Sequence, residues 1–282
     1  MKLGVRSTVV FVSEQSPSDG EVVEQLAEEI PVALVYNGIS HAVMMATPAD
    51  LEDFALGFSL SEGILATSAE LHDIDVQRVE EGIAVEMRIA TQRLVELNDK
   101  RRSLVGRTGC GICGAQSLTQ ALQPIKSVIA PAVNDAAIQR ALTQLNQYQP
   151  LQKLTGATHA AAWCNLSGDI VMAREDVGRH NALDKLIGAL TTRGENFGDG
   201  FVLISSRASY EMVQKTCAVG IGALVAVSAA TALAVERARE ANQLLIGFAR
   251  TGRHVIYHLP TIYDQTTIYQ QPTTATKNNG EK

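Results

Sequence analysis

The chain has 282 residues, of which 46% are hydrophobic and 19% charged, a balance typical of soluble globular proteins with an ample core. Its formal net charge is −6 and no long basic run offsets it, which argues against a general nucleic-acid binder. The N-terminus lacks the basic and then apolar pattern of a signal peptide, so the sequence predicts a cytoplasmic protein.

The first part of the chain, residues 1–105, predicts a β-rich portion with one helix. A short strand is expected at Thr8–Val12. A β-hairpin is expected from Val32–Tyr36 and Ile39–Thr47, because the Asn37-Gly38 pair between them favours the type I′ turn that matches strand twist.

A helix and a second hairpin complete this portion. Thr47 is the expected N-cap of the helix, Pro48 lies in its first turn, and its apolar face runs to Gly63. The hairpin is predicted from Asp73–Val79 and Ile83–Ile89, and its second strand alternates apolar and polar residues.

The rest of the chain alternates strands and helices, which favours an α/β layered core over residues 131–264. Residues 265–282, rich in Thr, Gln and Asn, are predicted to be disordered. The predicted elements of the core are a helix at Pro131–Gln149, strands at His159–Asn165 and Ile170–Arg174, a helix at Asn181–Thr191, a strand at Phe201–Ser205, a helix at Ser209–Ala218, a strand at Ala223–Val227, a helix at Ala229–Glu240, and strands at Gln243–Phe248 and His254–His258.

One stretch of this core, Thr216–Val235, carries no charge and is long enough to span a membrane. It consists mostly of Ala, Val and Gly, which gain little in lipid, and Gly220 and Gly222 interrupt it. The sequence therefore predicts a helix end, a strand and a second helix in a soluble protein, with no membrane insertion.

Residues 106–114, Gly-Arg-Thr-Gly-Cys-Gly-Ile-Cys-Gly, contain the most reactive residues in the most flexible backbone of the chain. Residues 106–130 are accordingly predicted to form a flexible loop and linker that carries Cys110 and Cys113. The remaining cysteines, Cys164 and Cys217, lie in apolar runs and are expected to be small buried hydrophobes.

A C-x-x-C pair has three common meanings. A structural zinc site needs further ligands, and no cysteine or histidine supplies them at the usual spacing, so no zinc is expected. A dithiol oxidoreductase usually has its thiolate at a helix start, whereas Gly follows both cysteines here. A sulfur carrier needs an accessible thiolate on a loop that can visit both a donor and an acceptor, which suits this motif.

Three further segments combine charge and turn chemistry at predicted strand ends. Arg174, Asp176, Arg179 and His180 lie between a strand and a helix and suit a site wall, although Asp176 could equally cap the helix and His180 could be a packed histidine. The other two segments suit phosphate, with simple helix capping and protection of a hairpin tip as the alternatives; they are Ser205, Ser206 and Arg207, and the turn of Phe248, Ala249, Arg250, Thr251, Gly252 and Arg253.

These four segments together resemble the FdhD/NarQ family of formate dehydrogenase accessory sulfurtransferases, with a likeness that runs from about Pro31 to His258. The motifs that carry it are 106–114, the run Arg-Glu-Asp-Val-Gly-Arg-His-Asn-Ala-Leu-Asp-Lys at 174–185, and Ser-Ser-Arg-Ala-Ser-Tyr-Glu-Met-Val-Gln-Lys at 205–215. The resemblance implies a homodimer with a fold similar to cytidine deaminases.

The resemblance also implies a function. The protein would take sulfur from a cysteine desulfurase and deliver it to the molybdenum or tungsten bis-pyranopterin guanine dinucleotide cofactor of the formate dehydrogenase catalytic subunit, with this cofactor bound as acceptor substrate. Cys110 would carry the persulfide and Cys113 would assist it. The segment 248–253 would contact the cofactor, and Arg174, Asp176, Arg179, His180, Ser205, Ser206 and Arg207 would line its nucleotide pocket.

Deaminase chemistry itself is not expected. Zinc deaminases use H-x-E and P-C-x-x-C motifs, whereas Ala161 stands here where that Glu would follow His159, and the C-x-x-C precedes the histidine. Two other functions stay open on the sequence alone: a non-catalytic chaperone that binds the cofactor, and a dithiol oxidoreductase.

Overall fold

A computed structural model describes residues 4–12, 20–104 and 124–261. The predicted cysteine loop at 106–114 and the predicted disordered tail at 265–282 lie outside these residues, so both stay predictions. Among the described residues the fold is mixed α/β, as predicted. The strands are β1 Val5–Val12, β2 Gly20–Ala27, β3 Ile30–Tyr36, β4 Ile39–Ala46, β5 Leu71–Val79, β6 Gly82–Ile89, β7 His159–Asn165, β8 Ile170–Asp176, β9 Gly200–Ile204, β10 Ala223–Ala226, β11 Leu244–Arg250 and β12 Arg253–His258.

The helices alternate with these strands in the second half of the chain. Two short 3₁₀ turns, Ser68–Glu70 and Asn146–Tyr148, accompany them. The described α-helices are α1 Leu51–Ser61, α2 Thr91–Leu104, α3 Asp135–Leu145, α4 Pro150–Thr155, α5 Arg179–Arg193, α6 Tyr210–Ala218 and α7 Ala232–Ala241.

The first half forms two sheets. β1 and β2 pair antiparallel as a two-stranded ribbon, and a four-stranded sheet has the order β4-β3-β6-β5. Both predicted hairpins are confirmed: Asn37 and Gly38 have φ values of 49° and 79° in the turn between β3 and β4, and β5 pairs antiparallel with β6. β2 was not among the predicted strands.

The prediction that Thr47 is the N-cap of α1 is wrong. The helix begins at Leu51, Asp50 occupies the N-cap position with φ 54°, and Thr47 is fully buried three residues earlier. Thr47 instead donates its backbone N–H to Asp176 and accepts from Val177 at its hydroxyl, so a tertiary contact takes the place of a helix cap. The same portion of the chain also contains α2, a second helix.

The boundaries of two other helices differ for local reasons. α3 begins at Asp135 rather than Pro131, because the Asn134 side chain accepts from the Ala137 N–H and sets the start. α7 begins at Ala232 rather than Ala229, with Thr231 as its cap. The segment 216–235 is a helix end, β10 and the start of α7, as predicted, and no helix among the described residues is long and apolar enough to cross a membrane.

The second half is organised by a six-stranded sheet of order β12-β11-β10-β9-β7-β8. Its centre, β9-β10-β11, is parallel, whereas β7, β8 and β12 run antiparallel to their neighbours. One face packs on α3, and the other packs on α5, α6 and α7. A second layer of helix and sheet lies beyond α5, since α1 contacts both α5 and the four-stranded sheet. The likeness to cytidine deaminases stays a prediction.

Alternation in β7 shows how the sheet separates two cores. Ala161 and Trp163 belong to the core shared with α5 and the four-stranded sheet, while Ala160, Ala162 and Cys164 belong to the core under α3. Cys164 and Cys217 are both fully buried, as predicted, and burial raises the pKa of the Cys217 thiol to about 12. These two thiols are therefore protonated and shielded at neutral pH.

Two glycines bring α1 and α5 into close contact. A Cβ added at Gly57 would overlap the carbonyl oxygen of Asp184, and one added at Gly188 would overlap the carbonyl oxygen of Asp53. The contacts are reciprocal and involve backbone, which cannot swing aside as a flexible side chain can. The joint between the two layers therefore depends on both positions lacking a side chain.

We expect Gly188→Ala to destabilise the protein by about 1–3 kcal/mol. Alanine is the better helix former by about 1 kcal/mol, but the overlap with the Asp53 carbonyl requires α1 to move and outweighs that gain. Urea unfolding measures whether the substitution lowers or raises the free energy of unfolding. Glu52→Ala, an exposed change on α1, is the control and should stay within about 0.5 kcal/mol of wild type. A Gly188→Ala protein as stable as this control would contradict the tight crossing.

Candidate functional site

The predicted site segments meet at one edge of the six-stranded sheet. This edge, called the site edge below, is formed by the carboxyl ends of β8, β9, β10 and β11 and the amino end of β7. His159 of β7 pairs with Asp176 at the end of β8, and Ala161 pairs with Ile204 at the end of β9. Because β9, β10 and β11 are parallel, the loops that follow them emerge at the same edge. Segments that lie far apart in the sequence thereby share one edge of the sheet.

Backbone hydrogen bonds join the loops of the site edge. Ser228 N–H donates to Ser206 O at 3.4 Å, and Phe248 N–H donates to Ser228 O at 2.9 Å. Ala208 and Ala230 form a parallel β-bridge between the loops after β9 and β10. The loops after β9 and β10 and the end of β11 therefore form one connected surface, which can hold a ligand in a fixed geometry.

Three helices begin at this edge, since α5, α6 and α7 follow β8, β9 and β10 directly. The Thr231 side chain caps α7, whereas Gly178 and Ser209, the N-cap residues of α5 and α6, make no side-chain cap bond in the described structure. The positive ends of the α5 and α6 helix dipoles therefore favour an anion at this edge.

A compact group of charged and imidazole side chains lies between α5 and α6. His180 Nε2 is 2.6 Å from Glu211 Oε2, and an Arg179 nitrogen is 3.9 Å from the same oxygen. The contact with His180 holds the pKa of Glu211 below its ordinary value, and burial lowers the pKa of His159, with the charge of Arg179 acting in the same direction. Glu211 is therefore an anion at neutral pH and orients the His180 ring.

The pKa of Glu211 predicts a pH-dependent stability difference. Because the folded-state pKa is lowered, the carboxylate stabilises the fold above its ordinary pKa of 4.5, and this contribution is lost as the pH falls below that value. We expect Glu211→Gln to be less stable than wild type by about 0.5–1.5 kcal/mol at pH 7, with the difference shrinking toward pH 3. Urea titrations across this range check it, with the exposed Glu52→Gln as control; a difference independent of pH would contradict the assignment.

Arg174 is placed differently from the neighbouring motif residues. Its guanidinium donates to Asp53 Oδ2 through Nε at 2.9 Å and through an Nη nitrogen at 2.7 Å, and it lies 3.6 Å from Asp50. The side chain thus links β8 to α1 instead of joining the group around Glu211. The role predicted for Arg174 in a nucleotide pocket stays a prediction, and its observed contacts are structural.

Asp176 is fully buried at the end of β8. Its Oδ1 accepts from the Gly178 N–H and the Asn181 amide, and its Oδ2 accepts from the Thr47 N–H and lies 2.7 Å from Lys185 Nζ. Both oxygens are therefore used within the protein, where they fix the turn that starts α5. Asp176 positions Arg179 and His180 through the backbone between them.

The hydroxyls after β9 also make internal hydrogen bonds. Ser205 Oγ accepts from the Ala160 N–H at 2.9 Å, and the buried Ser206 donates to the Arg207 carbonyl oxygen at 3.1 Å. Arg207 itself is exposed at the site edge. Of this segment, the arginine side chain and the N-terminus of α6 face outward for a ligand.

The turn between β11 and β12 presents two arginines. Arg250 and Arg253 are exposed and directly opposite in the antiparallel register, an arrangement of like charges that is unfavourable until an anion lies between them. The turn is held in place because the Gly252 N–H donates to Gln139 of α3 at 2.7 Å. At its start Phe248 has φ 47° and is 42% exposed, whereas Ala249 is buried.

Sequence reasoning did not select four residues that the fold brings to the site edge. Glu211, His159, Ser228 and Thr231 are separated along the chain, and single polar residues at strand or helix ends carry little signal. Glu211 belongs to the motif at 205–215. Its expected position in the first turn of a helix was the signal that could have placed it at the site edge. The loop after β10 gave none, because its pairing with Ser206 and Phe248 is purely tertiary.

Cys110 and Cys113 lie outside the described residues, and the described chain resumes at Pro124. Gln214 of α6 donates to the Pro124 carbonyl oxygen at 3.3 Å, and Val128 N–H donates to Ala241 O at the end of α7. Gln214 lies four residues from the first residue of α6, which is about 6 Å along the helix. The described chain after the cysteine segment thus begins close to the site edge.

Comparisons with known proteins agree with these motifs. A sulfur carrier protein FdhD from Cupriavidus necator is 57% identical over 242 residues, covering 84% of this chain and 83% of its own. The crystal structure of a protein from Desulfotalea psychrophila assigned as a formate dehydrogenase accessory protein superposes with a TM-score of 0.73, covering 91% of this chain and 98% of the other. Its sequence identity of 21% supports the likeness of fold only. The sequence model of the FdhD/NarQ family matches residues 27–262, and the chain therefore belongs to the FdhD/NarQ family.

Proposed function

We propose that the protein is a sulfur carrier that serves formate dehydrogenase. It takes sulfur from a cysteine desulfurase as a persulfide on Cys110 and delivers it to the molybdenum or tungsten bis-pyranopterin guanine dinucleotide cofactor. The observation that carries the proposal is the 57% identity, over most of both chains, with a sulfur carrier protein FdhD. The protein acts in the cytoplasm as a homodimer, with the formate dehydrogenase catalytic subunit as its client.

The chemistry needs one reactive thiol and benefits from a second. The Cys110 thiolate attacks the outer sulfur of the donor persulfide, the donor S–S bond breaks, and the donor thiolate leaves. Cys113 then attacks the inner sulfur of the Cys110 persulfide, which releases sulfide to the acceptor and leaves a Cys110–Cys113 disulfide. The released sulfur is reduced as the two thiols are oxidised, so a thiol reductant completes the cycle.

The site edge supports the binding of a dinucleotide acceptor. Its two helix N-termini without side-chain caps suit pyrophosphate, and Arg207, Arg250 and Arg253 supply exposed cations beside them. His180 and Arg179 add donors in the first turn of α5. This edge is the place where we expect the cofactor to bind while sulfur arrives.

The tether length is compatible with delivery to this edge. Cys110 lies 14 residues before Pro124, a stretch that spans at most about 50 Å. The Pro124 carbonyl oxygen accepts a hydrogen bond from Gln214. Gln214 lies about one helical turn from the start of α6. Chain length therefore leaves Cys110 free to reach both a donor protein and the site edge.

Persulfide mapping tests the proposal. The purified protein is incubated with cysteine desulfurase and cysteine, and peptides are analysed by mass spectrometry without reductant. We expect an addition of about 32 Da on the peptide that contains residues 106–114. An unmodified peptide, under conditions in which the desulfurase itself becomes persulfidated, would refute the sulfur-carrier function.

The same samples separate the two alternatives. A non-catalytic chaperone that holds the cofactor would bind it without acquiring the adduct, and stoichiometric zinc in metal analysis would favour this function. A dithiol oxidoreductase would cycle between dithiol and disulfide with a thiol substrate and would need no desulfurase. A desulfurase-dependent adduct excludes both.

A further inference from the structure

Phe248, near the end of β11, has a backbone conformation that is rare for its residue type. Its φ of 47° lies in the left-handed region, which a bulky side chain disfavours. The other non-glycine residues with positive φ in the described chain are Asn37, Asp50 and Asn242, and these two residue types tolerate the conformation. A phenylalanine there costs free energy, and backbone strain of this kind clusters at ligand-binding sites.

Two neighbouring segments hold Phe248 in this conformation. The register of β11 against β12 shifts at this point, so Phe248 and Ala249 together lie opposite His254 and form a bulge. Phe248 donates its N–H to Ser228 O at 2.9 Å, and a Cβ added at Gly247 would lie 3.0 Å from the same oxygen. The bulge and the loop after β10 therefore fix the position of Phe248, and bulges beside binding sites commonly redirect a side chain.

The Phe248 ring is exposed at the site edge. The residue is 42% exposed, whereas Gly247 and Ala249 on either side of it are buried. Within the described part of the chain, Phe248 belongs to neither hydrophobic core and contacts no other aromatic ring. Packing inside the protein therefore does not account for the strained conformation. An exposed aromatic face is a stacking surface for another flat ring.

Two cations lie beside this ring. Arg250 follows Phe248 by two residues, about 7 Å along an extended strand, and Arg253 is directly opposite Arg250. Both arginines are exposed, and guanidinium groups bind phosphate oxygens through two parallel hydrogen bonds. Inorganic phosphate would contact the arginines alone. A ligand that joins a flat ring to phosphate groups would contact the arginines and the Phe248 ring together.

We propose that Phe248 stacks on a heteroaromatic ring of the acceptor, while Arg250 and Arg253 bind the phosphates attached to it. The inference rests on the proposed function and assigns the ring-binding part of the site to the bulge. The acceptor carries two kinds of flat ring, guanine and pterin, and stacking suits both because each presents a π face. The fold retains the strained bulge because it directs the ring toward the ligand.

The experiment measures binding of guanosine diphosphate and of inorganic pyrophosphate to the purified full chain by titration calorimetry. Phe248→Leu keeps an apolar side chain but removes the flat ring. We expect it to bind guanosine diphosphate about tenfold or more weakly than wild type, and pyrophosphate within about twofold of wild type. Leu166→Asn, at a residue 39% exposed after the carboxyl end of β7 and therefore at the opposite edge of the sheet, is the control and should bind both like wild type.

Two further variants separate stacking from a structural role. Phe248→Asn should lose the same affinity yet be at least as stable as wild type in urea unfolding, because asparagine tolerates the positive φ. Phe248→Trp should retain the affinity, because it keeps an aromatic face. Trp163, the one tryptophan of the chain, is buried, so quenching of the Phe248→Trp fluorescence by guanosine diphosphate would report direct contact.

Titration with pterin-6-carboxylate identifies which ring is bound. A loss of affinity in Phe248→Leu for either ring compound supports stacking and names the ring. Unchanged affinity for both, an equal loss for pyrophosphate, a destabilised Phe248→Asn, or failure of wild type to bind either ring compound would each overturn the proposal. Persulfide loading of wild type is measured in parallel. Absence of the persulfide would refute the proposed function whatever the titrations show, so the two failures are distinguishable.

Discussion

Replacing Lys185 with methionine is expected to lower the free energy of unfolding by about 3–5 kcal/mol. The Lys185 and Asp176 side chains are both 0% exposed and form an ion pair of 2.7 Å, and Lys185 also donates to the Thr47 carbonyl oxygen at 2.9 Å. Methionine preserves the volume but leaves the Asp176 carboxylate buried with neutral donors alone. The resulting penalty is that of an uncompensated buried charge, not the loss of one hydrogen bond.

A double-mutant cycle separates this cause from lost packing. Asp176→Asn/Lys185→Met removes both charges, so it should be more stable than the sum of the two single changes predicts by about 1–3 kcal/mol. Lys153→Met, at an exposed position, is the control and should change stability by no more than about 0.5 kcal/mol. Additive single changes in urea unfolding would show that the pair is not coupled.

The ion pair also illustrates what the sequence could and could not predict. The strands, most helices and the α/β class follow from local signals, such as the Asn37-Gly38 turn and the alternation of residues 83–89. The ion pair depends on where the segment after β4 meets β8, which no local signal reports. Thr47 was assigned to a helix cap for that reason, although the fold uses it to satisfy Asp176.

The same distinction applies within the site. Sequence reasoning correctly selected segments at strand ends, because polar residues there are unusual and parallel strands bring their carboxyl ends together. It did not separate side chains that face a ligand from those that hold the site in place. Arg174 and Asp176 come from the same motif as His180, yet the first binds α1 and the second is buried under the turn. In a loop between a strand and a helix, tertiary contacts set the direction of each side chain, and these contacts cannot be read from the sequence.

Glycine positions show the limit in another way. Gly57 and Gly188 stand in predicted helices, where glycine is unfavourable by about 1 kcal/mol relative to alanine and suggests a packing reason. The sequence gives no hint that they face each other's helices, or that the joint of two layers depends on them. The unfavourable helix propensity of glycine identifies such a position, but only the fold shows which residue the glycine packs against.

The largest functional effect is expected for Cys110→Ala, which should abolish persulfide loading from cysteine desulfurase. Under the proposed function the Cys110 sulfur is the atom that forms the new S–S bond. Cys113→Ala should still load, because the accepting thiol remains, but should release sulfur to the acceptor more slowly without the disulfide-forming step. The Cys110→Ala variant should therefore lose sulfur loading, whereas the Cys113→Ala variant should be impaired in sulfur release.

The buried cysteines supply the control for this experiment. Cys217 is fully buried in α6 with a pKa raised to about 12, so Cys217→Ala should load sulfur like wild type while losing some stability. Loading is followed by the mass adduct on the 106–114 peptide, and release by activation of cofactor-loaded formate dehydrogenase. Undiminished loading of Cys110→Ala would exclude Cys110 as the carrier. Loss of loading in Cys113→Ala alone would show that Cys113 carries the persulfide, which would reverse the roles assigned to the two cysteines.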